Sequence, residues 1–313
     1  MFEIRRYTPD DAPQWNAFVE QSKNGTFLFD RRYMDYHADR FTDASLMIYR
    51  EGNLYALLPA NVAGNVLYSH AGLTYGGLIT GAEATAAATV ALFAELNDML
   101  RGEGVESVVY KAVPWIYHRV PADEDLYAIF RTCEAGLLKR EISSSMSADN
   151  RLRWSHGRRY GISKARNNGV VVEESDDLNG FWNILSANLD LRYGARPVHT
   201  ADEMMLLKSR FPSRIRLYVA HREGEMLAGT VIYDTGRVVH TQYISASPEG
   251  KRLCALDAIF DKVLNHDFAD APYFDFGKST EGGGHRLNET LIFQKEGFGG
   301  RGVCYDTYQW KLK

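Results

Sequence analysis

Apolar and polar positions along this chain follow strand-like and helix-like periods in one order, and that order occurs twice. Phe2-Glu-Ile-Arg-Arg-Tyr7 reads as a strand, and Asp10-Asp-Ala-Pro13 opens a helix over about 12–21 that carries Trp15. Side-chain acceptors cap free N–H groups there, and proline is tolerated in a first turn. A second helical segment is predicted near 31–39. The apolar runs 45–50 and 54–60 flank Glu51-Gly-Asn53, which reads as a hairpin, and 65–70 is a further strand. After Gly72-Leu-Thr-Tyr-Gly-Gly77, the residues Val90, Phe93, Leu96 and Leu100 mark one face of a helix over 84–100. A buried strand follows at 107–111.

The second half repeats this order. It predicts a strand at 170–174, a helix at 178–189 carrying Trp182, and a helix at 201–209 opened by the capping box Thr200-Ala-Asp-Glu203. A hairpin, 216–221 with 226–233, turns at Arg222-Glu-Gly224, as the first turns at Arg50-Glu-Gly52. A strand at 238–244 and the turn Ser245-Ala-Ser-Pro-Glu-Gly250 lead into a helix with Leu253, Leu256, Ile259, Phe260, Val263 and Leu264 on one face. A strand at 273–276 and two segments near 291–294 and 305–310 close the pattern. Trp15 and Trp182 are 167 residues apart, and so are Phe93 and Phe260. The pattern therefore predicts an α/β chain of two similar units, each a mixed sheet flanked by helices. The expected boundaries are 1–149, a basic amphipathic linking helix at 150–168, and 169–313. Two such units side by side would frame a cleft, a favoured place for ligands.

Composition narrows the function. With 313 residues the chain can bury two cores, and 45 % hydrophobic with 24 % charged residues excludes a disordered protein. A net charge of −4 argues against a general nucleic-acid binder and against DNA as partner. One local run is basic nonetheless: Arg151, Arg153, Arg158, Arg159, Lys164 and Arg166. The nearly apolar stretch 84–94 falls short of the roughly 20 residues a bilayer span needs, and Met-Phe-Glu-Ile-Arg-Arg is no export signal. A cytoplasmic protein is expected. Cys133, Cys254 and Cys304 lack metal-type spacing and read as small core residues, so no metal is expected.

The β-α-α-β-β-β-α-β order resembles the GNAT acyltransferase fold, and two such units joined by a basic helix resemble its FemAB-like branch. Thr74-Tyr-Gly-Gly-Leu78 resembles that family's Tyr-Gly-Gly turn, and Arg159-Tyr-Gly-Ile-Ser-Lys-Ala165 its Arg-x-x-Ile-x-Lys-Ala linker. Phe274-Asp-Phe-Gly277 and Phe293-Gln-Lys-Glu-Gly-Phe-Gly-Gly300 resemble its closing elements. Where single-domain GNAT enzymes carry (Gln/Arg)-x-x-Gly-x-(Gly/Ala), this chain has Ser247-Pro-Glu-Gly-Lys-Arg252. The donor therefore stays open between acetyl-CoA or another acyl-CoA, the first choice, and a charged tRNA.

Acyl transfer to an amine needs a base for the nitrogen, donors facing the carbonyl oxygen, and an acid for the leaving group. Asp275 at a strand end is the candidate base or amine-orienting group, and Tyr243 the candidate acid. The resemblance implies Lys295 as an active-site cation. Ser245, Ser247, Gly250, Lys251 and Arg252 precede or open a helix, where N–H groups and cations suit a pyrophosphate. Arg31, Arg32, Tyr75 and Gly76, with Arg159 and Lys164 from the link, form the candidate acceptor site, since guanidinium suits phosphate. The function expected is N-acylation of a primary amine, with a nucleotide- or lipid-linked amino sugar of an envelope precursor as acceptor. The alternatives are aminoacyl transfer from tRNA onto a cell-wall precursor and a binding protein that has kept the fold without catalysis.

Overall fold

Both predicted hairpins turn through the same unusual backbone. Glu51 and Gly52 have φ of 52° and 77°, and Glu223 and Gly224 have φ of 53° and 84°. Two successive left-handed residues match the twist of the flanking strands, which is why a glycine stands second in each. The two tryptophans agree as well: Trp15 Nε1 donates to Phe29 O at 2.7 Å and Trp182 Nε1 to His199 O at 3.0 Å, each anchoring its helix to the segment that follows. The duplication is thus present in detail.

The computed structural model describes residues 1–312, apart from the side chains of Arg192 and Tyr193. It divides into two compact units. The first comprises Met1–Ile142, Thr280–Arg286 and the chain from Cys304 onward; the second comprises Ser143–Ser279 and Leu287–Val303.

In the first unit the order is β1 (Glu3–Arg6), α1 (Ala12–Gln21), α2 (Arg31–Met34), β2 (Leu46–Arg50), β3 (Asn53–Leu58), β4 (Val66–Tyr68), α3 (Ala86–Gly102), β5 (Ser107–Lys111) and α4 (Glu124–Cys133). Strand β2 lies antiparallel between β1 and β3, and β4 runs parallel to β5. The helix expected over 31–39 tightens after Met34 into a 3-10 turn at Asp35–His37. Strand β6 (Gly136–Ser147) follows, its residues from Ser143 belonging to the second unit. Leu46, Ile48, Leu92, Phe93, Leu96, Tyr110 and Trp310 build the first core.

The second unit contains α5 (His156–Asn167), β7 (Val171–Ser175), α6 (Leu178–Tyr193), α7 (Ala201–Arg210), β8 (Ile215–Arg222), β9 (Glu225–Asp234), β10 (Val238–Ala246), α8 (Pro248–Arg252), α9 (Ala255–Lys262), β11 (Tyr273–Lys278) and α10 (Glu289–Glu296). Strands β7 to β10 pair antiparallel in sequence order, and β11 joins β10 in parallel. Phe260, Phe274, Phe276 and Phe298 fill the core beneath them. The last strand, β12 (Arg301–Lys311), pairs antiparallel with β5, Thr307 facing Lys111.

Three expectations are corrected. The C-terminal stretch leaves the second unit for the first, because its ladder to β5 holds it there. Residues 156–167 are part of the second unit: Arg158 pairs with Asp257 at 2.7 Å, and a Cβ on Gly161 would stand 2.2 Å from the Asp257 carboxylate, so α5 packs tightly on α9. Among the cysteines only Cys133 is buried; Cys304 is exposed on β12, and the half-buried Cys254 takes the left-handed turn between α8 and α9. No helix among the described residues is long and apolar enough to cross a membrane.

Candidate active site in the second unit

Strands β10 and β11 share only three parallel pairs, Val238 with Tyr273, Val239 with Phe274 and His240 with Asp275. The ladder stops there while β10 continues to Ala246. At this last pair Asp275 is completely buried. Its Oδ1 accepts a short hydrogen bond from Ser143 Oγ, and its Oδ2 lies 2.9 Å from His240 Nδ1. A buried carboxylate survives only where such partners satisfy it.

Lys295 approaches from α10. Its Nζ donates to Gly277 O at 2.7 Å and Lys278 O at 2.8 Å, and the side chain is buried. Burial lowers its pKa to about 8, against the opposing pull of the Asp275 charge. Beside this group Ser144 and Thr241 bury hydroxyls that have no partner.

A bulge brings Tyr243 into register with His240. Tyr233 faces His240 and Val231 faces Tyr243, so two steps along β9 span three along β10. Directly opposed residues share a sheet face, and residues two apart in an unbroken strand do too. His240 and Tyr243 therefore point to one side, which is the side of α7, since Tyr233 Oη reaches Met204 Sδ at 3.8 Å. The Tyr243 hydroxyl lies 2.6 Å from His199 Nδ1 and accepts from the His199 N–H at 3.2 Å. Burial pushes its pKa up to about 12, which keeps it protonated as a proton donor. His199, Trp182, Asp190 and Arg196 line a cavity of 540 Å³ on this side.

The other expected residues are more occupied. Ser247 Oγ caps α8 by accepting from Gly250 N at 3.0 Å, and a Cβ on Gly250 would stand 2.1 Å from Leu227 O. Ser245 Oγ accepts from Asn188 Nδ2 at 2.7 Å. Lys251 Nζ donates to Asn188 Oδ1 at 2.6 Å, and Arg252 pairs with Glu249. The loop expected to cradle a pyrophosphate is thus largely satisfied by its own protein.

In the first unit Arg31 is buried, pairing with Asp35 at 2.6 Å and with Asp43 while stacking 3.8 Å over Tyr7. Arg32 is exposed and binds Asp30 at 2.7 Å. Tyr75 is buried, its ring 4.5 Å from Tyr117. Gly76 permits a close backbone approach, since a Cβ would stand 1.8 Å from Ser69 O. On α5, Arg159 is exposed, its Nε reaching only Trp154 O at 3.3 Å, and Lys164 is half-buried.

The expected groups Asp275 and Lys295 come together, with Tyr243 on the face that His240 shares. His240, Ser143 and His199 were not among the expected residues. A single histidine in Val-Val-His-Thr-Gln-Tyr and a serine in Ser-Ser-Ser carry no spacing signal, because their partner comes from another strand.

Residues 155–285 match the acetyltransferase (GNAT) domain. Among solved structures the chain resembles FemX, with a TM-score of 0.68 and 12 % identity over 99 % of this chain and 97 % of that one. It also resembles L-PGS from Bacillus licheniformis, with a TM-score of 0.60 and 14 % identity over 96 % and 91 %. A tandem GNAT protein from the clavulanic acid biosynthesis pathway matches with a TM-score of 0.54 and 11 % identity over 100 % and 99 %. Among the curated proteins none matches the sequence.

Proposed function

From the GNAT-domain match over residues 155–285 and a fold shared with FemX and a tandem GNAT protein, we propose that the chain transfers an acyl group from an activated donor to a primary amine in the cytoplasm. The observation that carries this is the buried cluster at the end of the β10–β11 ladder, with Asp275 and His240 inside the matched domain and Lys295 reaching them from α10, just beyond it. Fold alone would not suffice, because one fold hosts many activities.

The amine approaches from the cavity beside His199, on the face that carries Tyr243 and His240. Lys295, at a pKa of about 8, is the cation of the cluster and offsets charge developing on the carbonyl oxygen. Tyr243 protonates the leaving group. Ser245, Ser247, Gly250, Lys251 and Arg252 are the proposed donor seat when the donor is acetyl-CoA. Within the second unit Arg159 and Lys164 remain candidates for phosphates of an amino-sugar acceptor, whereas in the first unit the ion pairs of Arg31 leave it little capacity for one.

A second donor is favoured by one observation. The Ser247–Arg252 loop spends a capping N–H on Ser247, Arg252 on Glu249 and Lys251 on Asn188 of α6, which weakens it as a pyrophosphate site and supports an aminoacyl ester of tRNA instead. The exposed Arg153, Arg159 and Arg166 would meet the tRNA backbone. The test offers the protein acetyl-CoA and, separately, alanyl-tRNA, with hydroxylamine as a small amine, and measures the hydroxamate formed beyond that of the same mixture without protein, because hydroxylamine attacks thioesters and aminoacyl esters unaided. Product from either donor supports acyl transfer and identifies the donor. No product from either returns the chain to the non-catalytic binding proteins.

A further inference from the structure

The chemistry of Asp275 is decided by its burial. It has no exposed surface, Ser143 Oγ donates to one of its oxygens, and the His240 ring faces the other. A carboxylate so enclosed cannot reach an incoming amine. His240 can: its side chain keeps 11 % of its surface exposed, and its Nε2 is not among the buried atoms lacking a partner. With Nδ1 turned to the carboxylate, the ring has one nitrogen tied and one presented outward.

Resting on the acyl-transfer reading, we propose that His240 is the catalytic base of this protein and that Asp275, held by Ser143, is the positioning residue that fixes its tautomer. Asp275 accepts from His240 Nδ1–H, which leaves the Nε2 lone pair for the substrate. The amine nitrogen forms a bond to the acyl carbon as Nε2 takes one of its protons. The bond from the acyl carbon to the donor's sulfur or oxygen then breaks, and the leaving atom departs with that electron pair and the Tyr243 hydroxyl proton. The proton on His240 returns to the Tyr243 oxygen through solvent, so the site ends as it began. The bulge of β10 is what makes this division of labour feasible, because it sets the base and the acid on one face three residues apart. Without the extra residue the two would alternate to opposite faces.

Two readouts test the assignment. The first needs no substrate: two-bond 1H–15N spectra of the protein labelled with 15N-histidine, with His240 identified by its loss in His240→Gln. The neutral ring is expected as the Nδ1–H tautomer in the native protein and with its tautomer balance shifted in Asp275→Asn. A native Nε2–H tautomer overturns the proposal. The second is hydroxamate formation from acetyl-CoA or alanyl-tRNA. His240→Ala is expected to lose about 10²–10⁴-fold in kcat, with partial recovery on adding imidazole. Asp275→Asn is expected to lose kcat with little change in KM. Full activity in His240→Ala overturns the proposal even if acyl transfer itself is real. A native protein with the expected tautomer but no transfer would instead refute the acyl-transfer reading for these donors.

Discussion

Lys295 titrates inside the fold, and its cost to stability can be separated from everything else by pH. Its pKa is about 8 in the folded protein against 10.5 for an ordinary lysine, and burial is the larger cause. Between those values the unfolded chain binds the proton more tightly than the folded one, so stability must rise with pH through that window. From these two pKa values the native protein gains roughly 2–3 kcal/mol between pH 7 and pH 10 from this group alone. Little discount for solvent is due, since the side chain is 6 % exposed. In Lys295→Met the gain disappears. Other titrations are common to both proteins and cancel in the difference between their stabilities. Denaturant unfolding of both proteins at pH 7, 8, 9 and 10 measures that difference. The native protein should improve relative to the variant as the pH rises, whatever the variant's stability at pH 7. Parallel curves would refute the argument and return Lys295 to an ordinary solvated cation.

Other outcomes follow from the same geometry. Gly250→Ala drives a Cβ to 2.1 Å from Leu227 O, a backbone atom that cannot swing away, and should cost about 1–3 kcal/mol in chemical unfolding. Arg158→Ala leaves the buried Asp257 without its 2.7 Å partner and should cost about 3 kcal/mol, part of which Asp257→Asn in the same chain restores. His70, buried against His37, has a pKa lowered to about 3, so the unfolded chain takes up its proton first as pH falls. That makes acid destabilising from about pH 6.5 downward. His70→Asn, which tolerates the local φ of 62°, should remove about 2 kcal/mol of the loss between pH 7 and pH 5 in a denaturation series.

Most elements were legible because their periods are strong. The strand Ser107–Lys111 lies where the pattern places it, and the capping box at Thr200 opens α7 as expected. Helix α4 and strand β6 were missed. Gly136-Leu-Leu-Lys-Arg-Glu-Ile-Ser-Ser-Ser-Met-Ser147 lacks clean alternation, and its serines read as loop although Ser143 and Ser144 are buried in the sheet. The site was half legible. Asp275 and Lys295 lie in motifs that resemble a family, whereas the proposed base His240 depends on a partner from another strand that no local pattern announces. Arg31 misled for the opposite reason: a guanidinium suits phosphate, but Asp35 and Asp43 had already claimed it.

The shared strand β12 has a consequence for synthesis. The sheet of the first unit lacks one of its members until residues 304–311 arrive, because β5 waits with one edge open for the partner that faces Lys111 with Thr307. On the ribosome the second unit can close before the first is whole. The early half of the nascent chain must therefore keep an unpaired strand shielded while most of the remaining chain is made, and a truncation shortly before Cys304 should aggregate through that edge.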